Sequence, residues 1–349
     1  MLLPLAFIVL ISVVDISSPP YIHLGPLLVV APAITASFAG SRLTALIGAV
    51  AVAAQVVIGV FHGGLGTSNH EAQIAALTVV SAVIVFYCRV RERSRLELAQ
   101  VRSVAEAVQQ VLLRPLPDRL GPLQVAALYL AAEDEARVGG DLYAAARITT
   151  GTRLIIGDVR GKGLPAIGDA ALLLGAFREL AHHHTGLPAL AAGLEASFCR
   201  HLSELAGADG HVRERFATAL VLDVPDAEPV VRITNCGHPP PLLLRGDRVS
   251  TLHASRPSPP LGMCEMPDLT YETDTFAFEP GDVLLLYTDG ITEARNRDRV
   301  FYPLAERLGT WPGSSPEVLL KNAHRDLQTY VGGPLRDDGV LIAIERTPA

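Results

Sequence analysis

Single aspartates stand beside turn-forming glycines at separated points of this 349-residue chain: Gly139-Gly140-Asp141, Gly157-Asp158, Asp289-Gly290, and the pair Asp337-Asp338 near the C-terminus. Asp158, Asp289 and Asp337 each abut an apolar, β-branched run that reads as a strand. A sheet protein that gathers carboxylates at one end of its strands can hold hard divalent cations. Converging carboxylates repel one another strongly unless a metal neutralises them. Taken singly, each aspartate has a plainer reading: Asp289-Gly290 as a hairpin turn, and Gly157-Asp158 as a capping loop ahead of Pro165. The joint pattern points to metal ligation.

Neighbouring motifs invite other chemistry and fit it less well. Lys162 between Gly161 and Gly163 suggests a phosphate loop, but the spacing from Gly157 is one residue short and Gly163 stands where Ser or Thr is required. Gly161-Lys162-Gly163-Leu164-Pro165-Ala166 also matches a loose dinucleotide fingerprint, which the strand-rich remainder of the chain opposes. His182-His183-His184 cannot face one ion, because successive helical residues project about 100° apart. Cys236 and His238 could mimic a nucleophile pair, yet Gly237 and the following prolines suggest a rigid turn.

The elements that must position these residues follow Pro117. Strands are predicted over 124–130, 153–156, 216–224, 230–235, 241–244, 283–287 and 340–344, with helices over 165–184 and 187–205. Pro165 suits the first turn of its helix. Runs of strands around two central helices indicate an α+β layered fold, a sandwich with helices outside.

The N-terminal ninety residues are of another kind. Apolar runs over 2–14, 24–39, 43–61 and 72–87 predict an all-α bundle of about four transmembrane helices. The third run is long enough by itself for a bilayer, which takes about 20 residues. Arg42 and the group Arg89, Arg91, Arg93 and Arg95 lie on one side, whereas the other loops carry Asp15 and Glu71. The positive-inside rule then places both termini, and with them the long C-terminal part, in the cytoplasm of a multi-pass protein of the cell membrane. No basic n-region or cleavage site marks a removable signal peptide. His23, His62 and His70 fall in the outer loops as solvated residues. From 91 to 116 the sequence reads as an amphipathic linker helix ended by Pro115 and Pro117. That helix either pairs with its copy in a homodimer or docks on the domain that follows it, which spans 117–349.

Composition agrees. A mean hydropathy of +0.32 is high, and its excess lies in the first ninety residues. The net charge of −7 and the lack of a basic patch exclude a nucleic-acid partner. Cys88, Cys199, Cys236 and Cys264 are scattered without C-x-x-C spacing. They predict neither a disulfide framework nor a zinc site, and they suit a reducing compartment.

Five segments occur together and in order: Gly139-Gly140-Asp141-Leu142-Tyr143, the run Gly157 to Ala166, Asn235-Cys236-Gly237-His238-Pro239-Pro240, Tyr287 to Ala294, and Asp337-Asp338. In this the chain resembles the PPM-type (PP2C-like) metal-dependent protein serine/threonine phosphatases, in their bacterial sporulation and stress-regulator (SpoIIE/RsbU-like) branch. The resemblance implies an αββα sandwich with two manganese or magnesium ions between the sheets. It implies that Asp158 bridges the ions, joined by the Val159 carbonyl, with Asp289 and Asp337 as inner ligands. Asp141 would act from outside that shell or at a third ion. It further implies a substrate phosphoserine or phosphothreonine on a regulatory protein such as an anti-anti-sigma factor. Two departures are visible: Ala144 stands where the family usually has Asp, and Cys236 where it has Ala.

The chemistry expected of such a site is phosphomonoester hydrolysis. Two metals roughly 3.5–4 Å apart would clamp the phosphate and activate a water for in-line attack. Asp158 and Asp289 are then the catalytic residues, acting through that water. The competing reading is a membrane sensor whose phosphatase-like domain only binds a partner.

Overall fold

The computed structural model describes residues 2–18, 24–61, 68–131, 139–183, 186–206, 214–266, 269–311 and 313–348. His23, His62 and His184 lie outside the described residues. The chain divides into two compact units, Met1–Val101 and Arg102–Ala349.

The first unit is helical: α1 (Leu2–Ser17), a 3-10 turn (Gly25–Val29) running into α2 (Val30–Phe38), α3 (Ser41–Phe61) and the start of α4 (Ser68–Leu112). Two stretches, Ser41–Phe61 and His70–Glu97, are long and apolar enough to cross a membrane. α1, with 16 residues, is shorter than the usual span. The Glu92 carboxylate accepts from both the Ser41 backbone N–H, at 2.8 Å, and its hydroxyl, at 2.7 Å, capping α3 with a residue of α4. His70, expected in a solvated loop, is buried in the first turn of α4. A single helix covers both the fourth apolar run and the charged stretch after it. Nothing in Ser68–Leu112 interrupts it, for it holds no Gly or Pro, and it stops short of Pro115.

The second unit is the expected αββα sandwich. One sheet has the order β1 (Arg119–Leu120), β2 (Leu123–Leu130), β11 (Gly339–Arg346), β10 (Val283–Tyr287), β7 (Leu242–Arg245) and β8 (Arg248–Thr251). The other runs β3 (Asp141–Ile148), β4 (Gly151–Val159), β5 (Ala217–Pro225), β6 (Val230–Cys236) and β9 (Asp274–Ala277). Helices α5 (Leu164–His183) and α6 (Leu187–Ala206) cover the five-stranded sheet. The short α7 (Asp289–Thr292) and α8 (Leu304–Leu308), with the longer α9 (Pro316–Val331), lie on the six-stranded one.

Period-2 side-chain alternation lets one strand serve two layers. In β10, Leu284 and Leu286 enter the core shared by the two sheets and α5–α6, while Val283, Leu285 and Tyr287 enter the core under α9. In β11, Val340, Ile342 and Ile344 face the first core, and Leu341 and Ala343 the second. Each such aliphatic side chain contributes about 2 kcal/mol by leaving water. These strands are buried on both faces, which is why they read as unbroken apolar runs.

One expectation is overturned here. Cys199 of α6 and Cys264 of the β8–β9 connection are disulfide-bonded, although they stand 65 residues apart in sequence. Cys88 and Cys236 are free and buried.

Candidate metal centre

β3 and β4 pair antiparallel with Asp141 directly opposite Asp158, and cross-strand neighbours project to the same face. From the other sheet, Asp289 follows the end of β10 and Asp337-Asp338 precede the start of β11, two strands that pair side by side. The sheets thus deliver their aspartates from opposite sides to one cavity of about 290 Å³. Asp141, Asp158, Asp289, Asp337 and Asp338 all line it, together with Arg160 and Lys162.

Glycines let the backbones close around this point. A Cβ on Gly140 would collide with the Val159 carbonyl, and one on Gly290 with the Asp338 carbonyl. Val159 is fully buried and donates its N–H to the Gly140 carbonyl at 3.1 Å. Its own carbonyl lies against Gly140, which lines the cavity. The two C-terminal aspartates differ in surroundings. Asp338 is buried and its carboxylate accepts from the Gly139 N–H. Asp337 is half exposed, with Lys162 Nζ at 2.8 Å from its Oδ1.

The carboxylates are short of positive charge. Burial, then the neighbouring Asp158, holds the Asp141 carboxyl well above its ordinary range, against the Thr288 hydroxyl that donates to Asp141 Oδ2 at 3.0 Å. Asp158 is pushed up to about 7 by burial and by the charges of Asp289, Asp337 and Asp338, with Lys162 opposing. Burial raises Asp289 as well, aided by Glu293 and Asp337. An all-oxygen donor set with surplus negative charge fits hard divalent cations of the Mg²⁺ and Mn²⁺ kind, and suits zinc less.

Three groups support the aspartates in roles that the sequence did not assign them. His238 is buried and flanked by Asn235, whose amide Nδ2 donates to the His238 carbonyl at 2.9 Å and whose Oδ1 accepts from the His238 N–H at 2.8 Å. His238 Nε2 lies 3.1 Å from the Tyr287 carbonyl and Nδ1 lies 3.0 Å from Thr218 Oγ1. A carbonyl can only accept, so Nε2 carries the proton and Nδ1 accepts from Thr218. Burial pushes the imidazole down to about 3, so it is neutral. Thr218 is the β5 partner of Asp158, and Tyr287 is two residues before Asp289. His238 therefore ties the two aspartate-bearing sheets together. Thr288 does similar work, bonding Asp141 with its hydroxyl while receiving the Val340 N–H at 2.9 Å. Asp338, the second of its pair, fixes Gly139. All three stand inside the five ordered segments, yet nothing in the sequence pointed to their distant partners.

The rival motifs dissolve in the structure. The Cys236 thiol is pushed up to about 12, chiefly by burial, and His238 is committed to Thr218 and Tyr287, so no activated thiol results. His183 pairs with Glu179 on an exposed helix face, 2.8 Å away. Lys162 serves as a counter-ion to Asp337.

A family model described as stage II sporulation protein E (SpoIIE) matches residues 149–347. The chain belongs to the SpoIIE family. Among curated proteins it is similar to protein IcfG of Synechocystis sp., with 26% identity over 281 residues, covering 72% of this chain and 42% of that one. It is also similar to phosphoserine phosphatase RsbP of Bacillus subtilis, with 30% identity over 173 residues, covering 49% of this chain and 40% of that one. The chain thus spans about two fifths of the length of these relatives. Among solved structures, the SiaA-PP2C domain of Pseudomonas aeruginosa superposes with a TM-score of 0.55 at 18% identity, covering 73% of this chain and 98% of that domain. The SpoIIE-family domain and the PP2C fold are thereby shown.

Proposed function

We propose that this chain is a membrane-anchored, metal-dependent protein serine/threonine phosphatase. The observation that carries the reading is the convergence of Asp141, Asp158, Asp289 and Asp337 on one cavity without enough positive charge to balance them. Asp158, Asp289 and Asp337 would hold two Mn²⁺ or Mg²⁺ ions with the Val159 carbonyl, and Asp141 would act from outside that shell or at a third ion. Such ions, when bound, supply Lewis acidity toward phosphate oxygens and make water a nucleophile at neutral pH. The chain's own part is preorganisation. Thr288 fixes Asp141, His238 fixes the spacing of the strands, and Lys162 and Arg160 bring positive charge to the cavity wall. No side-chain nucleophile is required.

The substrate we infer is a phosphoserine or phosphothreonine on a regulatory protein of the anti-anti-sigma type. Support comes from RsbP, described as a phosphoserine phosphatase. Anchoring rests on α3 and α4. Only 17% of the apolar window in His70–Glu97 is buried within the protein, as suits a helix facing lipid. The arginines of 89–95 would then mark the cytoplasmic side, the catalytic unit with them. The exposed Val108 and Val111 of α4 would serve as the dimer contact, while Gln109 and Leu112 bond and pack on the chain's own second unit.

The deciding experiment assays the full chain in detergent on a phosphoserine peptide with Mn²⁺ and with chelator. We expect Mn²⁺-dependent release of phosphate, and a loss of at least about 100-fold in Asp158→Asn, since the substitution removes a central electrostatic contact. Wild-type turnover in that variant at saturating Mn²⁺ would sink the assignment. No turnover in either protein would favour the partner-binding reading.

A further inference from the structure

A second group of reactive side chains lies on α6 and the β8–β9 connection. Cys199 and Cys264 are bonded there with Cα atoms 5.6 Å apart. One helical turn before Cys199, Glu195 places Oε1 3.3 Å from the Cys199 sulfur, and its Oε2 accepts from the Gly262 N–H at 2.6 Å. The ligating atoms of these three residues all lie within 4.8 Å of one another. Glu195 and Cys199 are half buried, whereas Cys264 is exposed. Gly262 has φ +97°, and a Cβ there would come within 2.9 Å of the Phe198 ring, so this turn is fitted to α6. The next residue back, Leu261, exchanges both backbone hydrogen bonds with Ala217, at 2.8 and 2.9 Å. Ala217 pairs in the sheet with Val159, beside Asp158.

We propose that Cys199 and Cys264 form a reversible thiol–disulfide exchange site for a low-molecular-weight disulfide, with Glu195 as the proton acceptor for Cys199. The exposed position of Cys264 makes it the first sulfur to react. Its thiolate attacks the small disulfide RSSR, forming a mixed disulfide and releasing RS⁻, which takes up the proton that Cys264 lost. The Cys199 thiol then passes its proton to Glu195 while its sulfur attacks Cys264 Sγ, breaking the mixed disulfide and releasing a second RS⁻. Protonation of that thiolate, ultimately by the Glu195 proton, completes the balance. Two protein thiols are oxidised and one RSSR is reduced to two RSH. Burial raises the Glu195 carboxyl above its ordinary range, against the Gly262 and Met263 amides, and so brings it nearer to a thiol as a proton acceptor. On the cytoplasmic side, where the proposed function puts this unit, a disulfide of this kind is a sensing bond rather than a permanent brace. Its state sets how firmly the Leu261–Gly262 turn is held to α6, next to the strand pair that carries Asp158.

The test uses the full chain in detergent, equilibrated with mixtures of reduced and oxidised glutathione, acid-quenched, alkylated and mapped by mass spectrometry. We expect a Cys199–Cys264 cross-linked peptide that comes and goes with the glutathione ratio, while Cys88 and Cys236 stay thiols. We expect Glu195→Gln to slow formation of the bond at least about tenfold. Amide hydrogen exchange over 258–266 and at Ala217 should be faster in the reduced form and in Cys264→Ser. A bond that no glutathione ratio opens, or that none forms, overturns the proposal. So does stoichiometric zinc bound by the reduced pair and blocking its oxidation. An unchanged rate in Glu195→Gln removes the carboxylate from the scheme. None of these readouts depends on phosphatase activity.

Discussion

At Lys162 the charge balance of the site can be tested one residue at a time. Its ammonium faces Asp337 in a half-exposed ion pair, and such pairs are worth little in water. We expect Lys162→Ala to lower phosphatase activity less than about tenfold, far less than a change at Asp158, Asp289 or Asp337. A phosphate loop would make the same lysine indispensable for nucleotide binding, so tight ATP binding lost in the variant would support that rival. His238 allows a test by pH. Its imidazole titrates near 6.5 when unfolded and is pushed down to about 3 in the fold. Between those values the unfolded chain binds the extra proton, so stability rises with pH across the window and is lost as pH falls from 6.5 toward 3. His238→Asn should unfold at a lower temperature at neutral pH, yet show a shallower fall on acidification. Thermal scans from about pH 7 to about pH 4 decide this. Equal slopes in both proteins would mean that other groups govern acid lability.

The elements show which parts of the design a sequence can carry. β4, β5, β10 and β11 were legible because burial on two faces demands unbroken β-branched and leucine runs. β3 was not, since Ala144-Ala145-Ala146 is a weak strand former held in place by its pairing with β4. The edge strands β8 and β9 have four residues each and half-exposed patterns. α9 carries a proline in its first turn and Gly332 with φ +63° at its end, signals that its mostly polar composition obscured. The aspartates announced themselves through their glycines. Thr288, His238 and the Cys199–Cys264 bond did not, because their partners are distant in sequence. The glycines themselves invite a paired measurement. Gly140→Ala forces a methyl into the Val159 carbonyl and should cost about 1–3 kcal/mol as overpacking, with weaker Mn²⁺ binding. Gly168→Ala, inside α5 with open space around it, should stabilise by about 0.5–1 kcal/mol. Denaturant titrations of both variants check the contrast. A harmless Gly140→Ala would show that β3 and β4 need no such close approach.

At the scale of the whole molecule, α4 is the element common to both units, continuous from Ser68 to Leu112. Some of its apolar side chains stay exposed, Leu96 at 71% and Val111 at 75%, whereas Leu112 at its C-terminal end packs on the core of the second unit. An uninterrupted helix transmits rotation, provided that its exposed apolar side chains are buried against a second copy. Two alanines inserted after Gln100 turn the following stripe by about 200°, whereas four turn it only about 40° beyond a full turn. We therefore expect the two-residue insertion to change basal phosphatase activity of the full chain in membrane vesicles, and the four-residue insertion to be milder. Helical propensity is nearly the same in both, since alanine is the best helix former, so the difference isolates phase from length. Cross-linking through a cysteine placed on the stripe should follow the same order. If both insertions leave activity and cross-linking unchanged, α4 is a passive tether, and the catalytic unit takes no mechanical signal from the helices before it.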